Sequence, residues 1–173
     1  MNNTLLKFFA TGAFISYIPT AILKNKKNTG AGLLGTFEGL ILFLFFMPKN
    51  PFYFFVIWVL FVWFSIYVSQ KVNFGQGVKD NPKIVIDEIA GFFTAMAFLP
   101  RQGFIILCAF IIFRVFDTVK PAFIKRAESA GQNLPLILKE KYYIEGFSIV
   151  LDDILAGLCA NFILQILLLL KVI

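Results

Sequence analysis

The chain has 173 residues, a formal net charge of +6 and no histidine. Hydrophobic residues make up 59% of it, 23 residues are phenylalanine, and the mean hydropathy is +0.82. A soluble core of this size cannot bury so much apolar side chain, so the composition predicts a polytopic membrane protein with a single domain, residues 1–173. The absence of histidine excludes phosphohistidine and Ser–His mechanisms, and no pattern of basic and aromatic residues points to nucleic acid.

Apolar segments in chain order predict an all-α membrane bundle of about five or six helices. The first segment lacks the features of a cleaved signal peptide, so we expect it to remain and either span the membrane or lie along it. Residues 30–36 are glycine-rich and predict a flexible connection. The second and third helices, and likewise the fourth and fifth, are expected to form helical hairpins. The predicted helices are residues 4–23, 39–47, 52–68, 84–99, 103–119 and 147–170.

Lys and Arg residues are distributed unevenly between the two sides of this predicted bundle. Most of them lie in the loops around residues 24–27, 71–83 and 120–141, whereas the opposite side keeps Lys49, Arg101 and Lys171. The positive-inside rule therefore places the first side in the cytoplasm.

A segment with two adjacent acids occurs twice, which suggests a pseudo-repeat. Residues 84–91 have the sequence IVIDEIAG and residues 149–157 have IVLDDILAG. Charges in an apolar setting are costly, so these acids are a functional-site hypothesis, and four carboxylates at one depth suit a hard divalent cation. Alternatively, they only stabilise the positive N-terminal ends of two helices. The acids are Asp87, Glu88, Asp152 and Asp153.

A second cluster of charges lies near the end of the helix predicted at 103–119. Arg114, Asp117 and Lys120 follow one another at intervals of three residues, and Pro121 ends the helix directly after them. Arg binds phosphate oxygens with two parallel hydrogen bonds, and Lys acts as a point charge. The spacing therefore predicts a phosphate clamp beside a metal ligand, although a structural ion pair between Arg114 and Asp117 is the alternative.

Three motifs, taken in chain order, resemble the phosphatidylglycerophosphatase A family. They are Asp80 with the IVIDE-x-x-G run of residues 84–91, the FR-x-x-D-x-x-KP run of 113–121, and the G-x-x-I-x-x-DD-x-x-AG run of 146–157. The ATG sequence at 10–12 and the GT sequence at 35–36 are similar to N-terminal elements of that family.

This resemblance implies a magnesium-dependent enzyme of the bacterial inner membrane that removes the terminal phosphate of phosphatidylglycerophosphate and leaves phosphatidylglycerol. Its active site would face the cytoplasm, with the phospholipid and the bilayer as partners. We expect direct attack by water, with an aspartyl-phosphate on Asp87 or Asp152 as the alternative. The expected Mg²⁺ ligands are Asp80, Asp87, Glu88, Asp152 and Asp153, the expected catalytic residues are Asp87, Glu88, Asp117, Asp152 and Asp153, and the expected phosphate-binding residues are Arg114, Lys120 and Thr36.

The sequence departs from the family pattern in two places. Glu38 stands where the family has a small residue, which makes it a candidate additional ligand, and the segment 127–145 is longer than the usual link. Two other classes of protein stay open at this point. A divalent-cation transporter would need its acids along a path near mid-membrane, and a non-catalytic membrane subunit would use its charges only to orient helices.

Overall fold

The computed structural model describes residues 3–22, 30–73, 81–122, 124, 126 and 143–173. Over these residues the regular structure is helical and includes no strand, so the all-α prediction is confirmed there. The helices are α1 (Asn3–Ala10), α2 (Tyr17–Ile22), α3 (Ala31–Phe46), α4 (Pro51–Asn73), α5 (Ile86–Ala95), α6 (Gly103–Val119) and α7 (Ile144–Leu169).

The short helix α5 lies at the centre of the bundle. Every residue of α5 except Asp87 and Glu88 is buried, because α3, α4, α6 and α7 all pack against it. Phe92 of α5 makes edge-to-face contacts with Phe43 of α3 and Phe113 of α6, at ring-centroid distances of 6.2 and 6.5 Å. The core therefore surrounds the helix that carries the first acid pair.

The predicted sixteen-residue helix 84–99 is much shorter in the structure. Only Ile86–Ala95 is helical, which corresponds to roughly 15 Å of helix at about 1.5 Å per residue. Before it, the Val85 N–H donates a 2.8 Å hydrogen bond to the Ala10 carbonyl of α1. This contact holds residues 84–85 outside the helix, so the chain enters α5 deep within the bundle.

The C-terminal end of α5 is stabilised by a side chain of α7. Asn161 is buried, and its Nδ2 donates to the Ala95 carbonyl at 3.0 Å and to the Ala97 carbonyl at 2.7 Å. Phe98 then has a φ of 59°, which ends any continuation of the helix. Carbonyl groups at the end of a helix need such partners when they are buried.

Two expectations for the N-terminal part are wrong. Residues 4–23 do not form one helix, because Gly12, Ala13 and Phe14 have φ values between 49° and 67° and turn the chain between α1 and α2. The glycine-rich stretch 30–36 is not a flexible connection but is helical from Ala31. A Cβ on Gly35 would lie 2.7 Å from the Val85 Cβ, so this glycine allows α3 to approach the segment that leads into α5.

The structure supports membrane association through two helices. By length and composition, α4 and α7 could each cross a membrane, with 23 and 26 residues and mean hydropathies of 2.1 and 1.8. Large apolar side chains such as Phe45 and Leu169 are exposed on the outside. A bundle with five or six crossings stays a prediction.

The two predicted hairpins have different outcomes. In the first, a short turn after Phe46 joins α3 to α4, but both helices pack on α5 rather than extensively on each other. In the second, α5 and α6 do pack together.

Candidate functional site

Three carboxylates from the two acid pairs lie together. Asp87, Glu88 and Asp153 each offer an oxygen, and these oxygens all lie within 4.8 Å of one another. The first two residues belong to the first turn of α5, and Asp153 lies farther along α7, beyond its first two turns. The structure therefore brings together three of the four acids in the repeated segments.

The glycine that follows each acid pair explains why these residues meet. A Cβ on Gly91 would lie 2.8 Å from the Asp153 carbonyl oxygen, and the place of a Cβ on Gly157 is filled by the Gly91 carbonyl oxygen. Both positions must therefore lack a side chain for α5 and α7 to approach this closely. The close crossing holds the first acids of α5 beside Asp153.

The acid cluster has oxygen atoms that lack a hydrogen-bond donor. Asp87 Oδ1 and Glu88 Oε2 are buried and have no hydrogen-bond partner among the described residues, and Asp153 is 3% exposed. Buried carboxylates without partners are costly unless a cation or proton meets them. Carboxylate oxygens are also the ligands that Mg²⁺ prefers, so these residues fit a bound divalent cation.

Arg114 of α6 lies beside the acid cluster. Its Nη1 forms a 2.6 Å ion pair with Asp117 and donates a 3.2 Å hydrogen bond to the Thr36 hydroxyl. The Thr36 hydroxyl in turn donates to the Gly32 carbonyl at 2.9 Å. A Cβ on Gly32 would lie 3.1 Å from Arg114 Nη1 and would also meet Glu88 Oε1. Gly32 therefore leaves space where the guanidinium group and the carboxylate face each other.

Lys120 and Asp152 form a second ion pair next to the cluster. Lys120 follows α6 with a φ of 43°, in the left-handed region, and Asp152 is 5% exposed on α7. Asp152 does not belong to the three-carboxylate group. Asp152, the fourth acid of the two pairs, therefore contacts the ammonium group of Lys120.

The remaining predicted residues lie outside the group of three carboxylates or outside the described residues. Asp80 and residues 127–142 of the long segment are not among the described residues. Glu38 is also not in the carboxylate group; its Oε2 lies where a Cβ on Gly12 would be placed. Asp117 contacts Arg114 rather than the three carboxylates. The catalytic, metal-binding and phosphate-binding roles of all these side chains stay predictions.

A set of buried polar residues on α4, which we name the α4 polar face, was not predicted from the sequence. It comprises Ser65, Ser69, Gln70 and Asn73, with exposed fractions between 0% and 5%. The predicted helix ended at residue 68, whereas α4 continues to Asn73. Ser65, Ser69 and Asn73 recur every four residues, and this helical spacing of polar residues was the available signal.

The fold and the site together define a class of protein. The bundle has long apolar helices and exposed apolar side chains, and it holds carboxylates that fit a divalent cation next to an arginine and a lysine that could bind phosphate. These are the features of a membrane-associated enzyme that acts on a phosphate group.

Comparison with known proteins identifies the family. The chain belongs to the phosphatidylglycerophosphatase A family, whose model matches residues 8–168. It is 32% identical over 142 residues to the phosphatidylglycerophosphatase A of Haemophilus influenzae, which covers 82% of this chain and 78% of that relative. It is 28% identical over 102 residues to a Bacteroides thetaiotaomicron protein named "Putative phosphatidylinositol-3-phosphatase", over 57% of this chain and 55% of that relative. No solved structure matches the chain.

Proposed function

We propose that this protein hydrolyses the terminal phosphomonoester of phosphatidylglycerophosphate, with Mg²⁺, at the cytoplasmic face of the bacterial inner membrane. The products are phosphatidylglycerol and inorganic phosphate. One observation carries the proposal: Asp87, Glu88 and Asp153 converge in a member of this family beside a guanidinium group.

The metal would be held by the three converging carboxylates, Asp87, Glu88 and Asp153. Two of their oxygens are buried and lack a partner among the described residues, which supports this assignment. When bound, Mg²⁺ supplies positive charge to the phosphate oxygens and lowers the pKa of a water molecule. Asp80 and Asp152 remain candidate ligands.

Arg114 and Lys120 would bind the phosphate group. Asp117 and Thr36 both contact Nη1 of Arg114, so they would orient the guanidinium group while its other N–H donors bind phosphate oxygens. Lys120 would exchange part of its contact with Asp152 for the substrate. Phosphoryl transfer depends mainly on such positioning and charge stabilisation.

We favour a single displacement at phosphorus. The oxygen of a water molecule forms the new bond to phosphorus as the bond from phosphorus to the glycerol oxygen breaks. The proton that the water loses to solvent balances the proton that the leaving alkoxide takes up from solvent. The alternative, an aspartyl-phosphate (an acyl phosphate) on Asp87 or Asp152, would be detected as phosphate covalently attached to the protein after a rapid acid quench.

The orientation in the membrane follows from charge. The segments around residues 24–27, 71–83 and 120–141, which lead into α3, α5 and α7, carry most of the basic residues, and the positive-inside rule assigns such segments to the cytoplasm. Asp87 and Glu88 lie in the first turn of α5, and Asp153 lies in the N-terminal half of α7, so the site would receive substrate from the cytoplasmic leaflet.

The test is phosphate release by the purified protein from phosphatidylglycerophosphate in detergent micelles, with added Mg²⁺ or with EDTA. We expect release with Mg²⁺, none with EDTA, and a loss of roughly 100-fold or more for Asp153→Asn, the scale of losing one electrostatic stabiliser in an active site. Glu145→Gln, on the same helix but outside the cluster, is the matched control and should stay active.

A phosphatidylinositol phosphate is a second candidate substrate, because one relative carries that name. The same assay with phosphatidylinositol 3-phosphate compares the two lipids directly. Release from neither lipid would contradict phosphatase activity and favour a cation transporter or a non-catalytic subunit.

A further inference from the structure

The α4 polar face contains three polar atoms that are buried without a hydrogen-bond partner among the described residues. They are the Ser69 hydroxyl oxygen, Gln70 Nε2 and Asn73 Oδ1. Ser65 differs, since its hydroxyl donates to the Phe61 carbonyl at 2.8 Å. Burying a polar group without a partner costs about 1–3 kcal/mol, so three such atoms within five residues suggest that a ligand completes their hydrogen bonds.

This face lies between the two elements that carry the acid cluster. On one side, the neighbouring Val68 of α4 packs in a buried cluster with Ile84 and Ile86, in the segment that leads into Asp87. On the other, Gln70 Oε1 accepts a 2.7 Å hydrogen bond from the Gly146 N–H of α7. Gly146 precedes Asp153 by seven residues, which is roughly 10 Å along a helix. Side chains and a bound headgroup can together span that distance.

The chemistry of the three atoms fits a hydroxyl group as ligand. Gln70 Nε2 donates, Asn73 Oδ1 accepts, and the Ser69 hydroxyl does either. A phosphate group would offer no proton to Asn73 Oδ1, and a metal ion could not bind the Gln70 amide nitrogen. The face also carries no charge, which suits a neutral ligand that both donates and accepts hydrogen bonds.

We propose that Ser69, Gln70 and Asn73 of the α4 polar face bind the free hydroxyl of the glycerol linker that joins the two phosphates of the lipid substrate. Ser69 and Asn73 would form hydrogen bonds with this hydroxyl. Gln70 would donate to it from Nε2, while Gln70 Oε1 keeps its hydrogen bond to the Gly146 N–H. The inference rests on the proposed function and deepens it, because it assigns the residues that distinguish a hydroxyl-bearing linker from one without a hydroxyl.

The experiment compares two substrates in the wild-type protein and in three variants. The substrates are phosphatidylglycerophosphate and an analogue with a 1,3-propanediol linker, which lacks only the free hydroxyl. We expect the wild-type protein to hydrolyse the natural linker with a kcat/KM roughly 2- to 10-fold higher, the value of one neutral hydrogen bond. In Ser69→Ala and in Asn73→Leu this ratio should approach one.

Ser65→Ala is the matched control. It also removes a buried serine hydroxyl from this face of α4, but the Ser65 hydroxyl already has a hydrogen-bond partner, the Phe61 carbonyl. It should keep the wild-type ratio. Equal hydrolysis of both lipids by the wild-type protein, or an unchanged ratio in Ser69→Ala and Asn73→Leu, would overturn the inference and leave the phosphatase activity standing. If the wild-type protein hydrolyses neither lipid, the proposed function fails together with the inference that rests on it.

Discussion

The carbonyl oxygen of Gly91 in α5 occupies the space where Gly157 of α7 would carry a Cβ. This contact lies after both acid pairs, three residues beyond Glu88 in α5 and four beyond Asp153 in α7. The repeated segments are therefore the two halves of one helix crossing. The acids converge because the glycines allow the backbones to touch.

Gly157→Ala should separate α5 from α7. The new Cβ would meet the Gly91 carbonyl oxygen and would lie 2.9 Å from the Thr94 Cβ, and overpacking of a core costs about 1–3 kcal/mol. We expect a lower unfolding temperature in detergent and loss of phosphate release. Gly103→Ala is the control, since a Cβ there has no atom within 4 Å. Equal unfolding temperatures for the two variants would contradict this account of the crossing.

Lys120→Gln should remove the Lys120 ammonium group from the buried Asp152 carboxylate. Removing one partner of a buried ion pair is costly, because the other charge stays buried. A double-mutant cycle with Asp152→Asn, measured by urea unfolding in mild detergent, should give a coupling free energy of about 0.5–3 kcal/mol. Additive effects of the two substitutions would show that the pair does not form.

Thr36→Val should reduce activity through the position of Arg114. The substitution removes the hydroxyl that accepts a hydrogen bond from Nη1, and we expect kcat to fall roughly 2- to 10-fold, the value of one hydrogen bond. Thr36→Ser should restore kcat because it returns the hydroxyl. A fall in thermal stability of Thr36→Val with no change in kcat would assign Thr36 a structural role alone.

Arg114→Lys tests whether the planar guanidinium group is needed. Lysine keeps the charge but cannot contact Asp117, Thr36 and a phosphate with one fixed fork. We expect kcat/KM for phosphate release to fall by about 10-fold or more, as for a lost charge-assisted contact of about 1.5–3 kcal/mol. Wild-type kcat/KM in this variant would exclude a bidentate role.

Asn161→Leu should destabilise the end of α5. The buried carbonyl group of Ala95 and the partly buried one of Ala97 would lose their donor, at a cost of about 1–3 kcal/mol for a buried group left without a partner. The unfolding temperature in detergent should fall. Gln165→Leu removes only a 2.8 Å hydrogen bond to Asn161 from an exposed position, so its effect should be smaller. The reverse order of the two effects would contradict this role of Asn161.

The sequence by itself determined the class of fold, the family and the residues of interest. Apolar segments separated by polar segments indicated helices, because long runs of apolar side chains are buried in a core or in a membrane. The acid pairs, Arg114 and Lys120 stood out because charges in such a setting are costly. The motifs around them, from Asp80 to Gly157, indicated the family that the comparisons confirmed.

The tertiary structure alone decided which of these residues meet. The sequence predicted the same metal-binding role for both acid pairs. In the structure, Asp153 lies with Asp87 and Glu88, whereas Asp152 forms an ion pair with Lys120. The sequence also predicted a flexible connection at residues 30–36 and one helix at 84–99. Instead, the chain is helical from Ala31, where glycines allow α3 to approach α5, and Asn161 stabilises the end of α5 at Ala95. The physical reason is that contacts between distant segments override local preference, and no local pattern records which segments pack together.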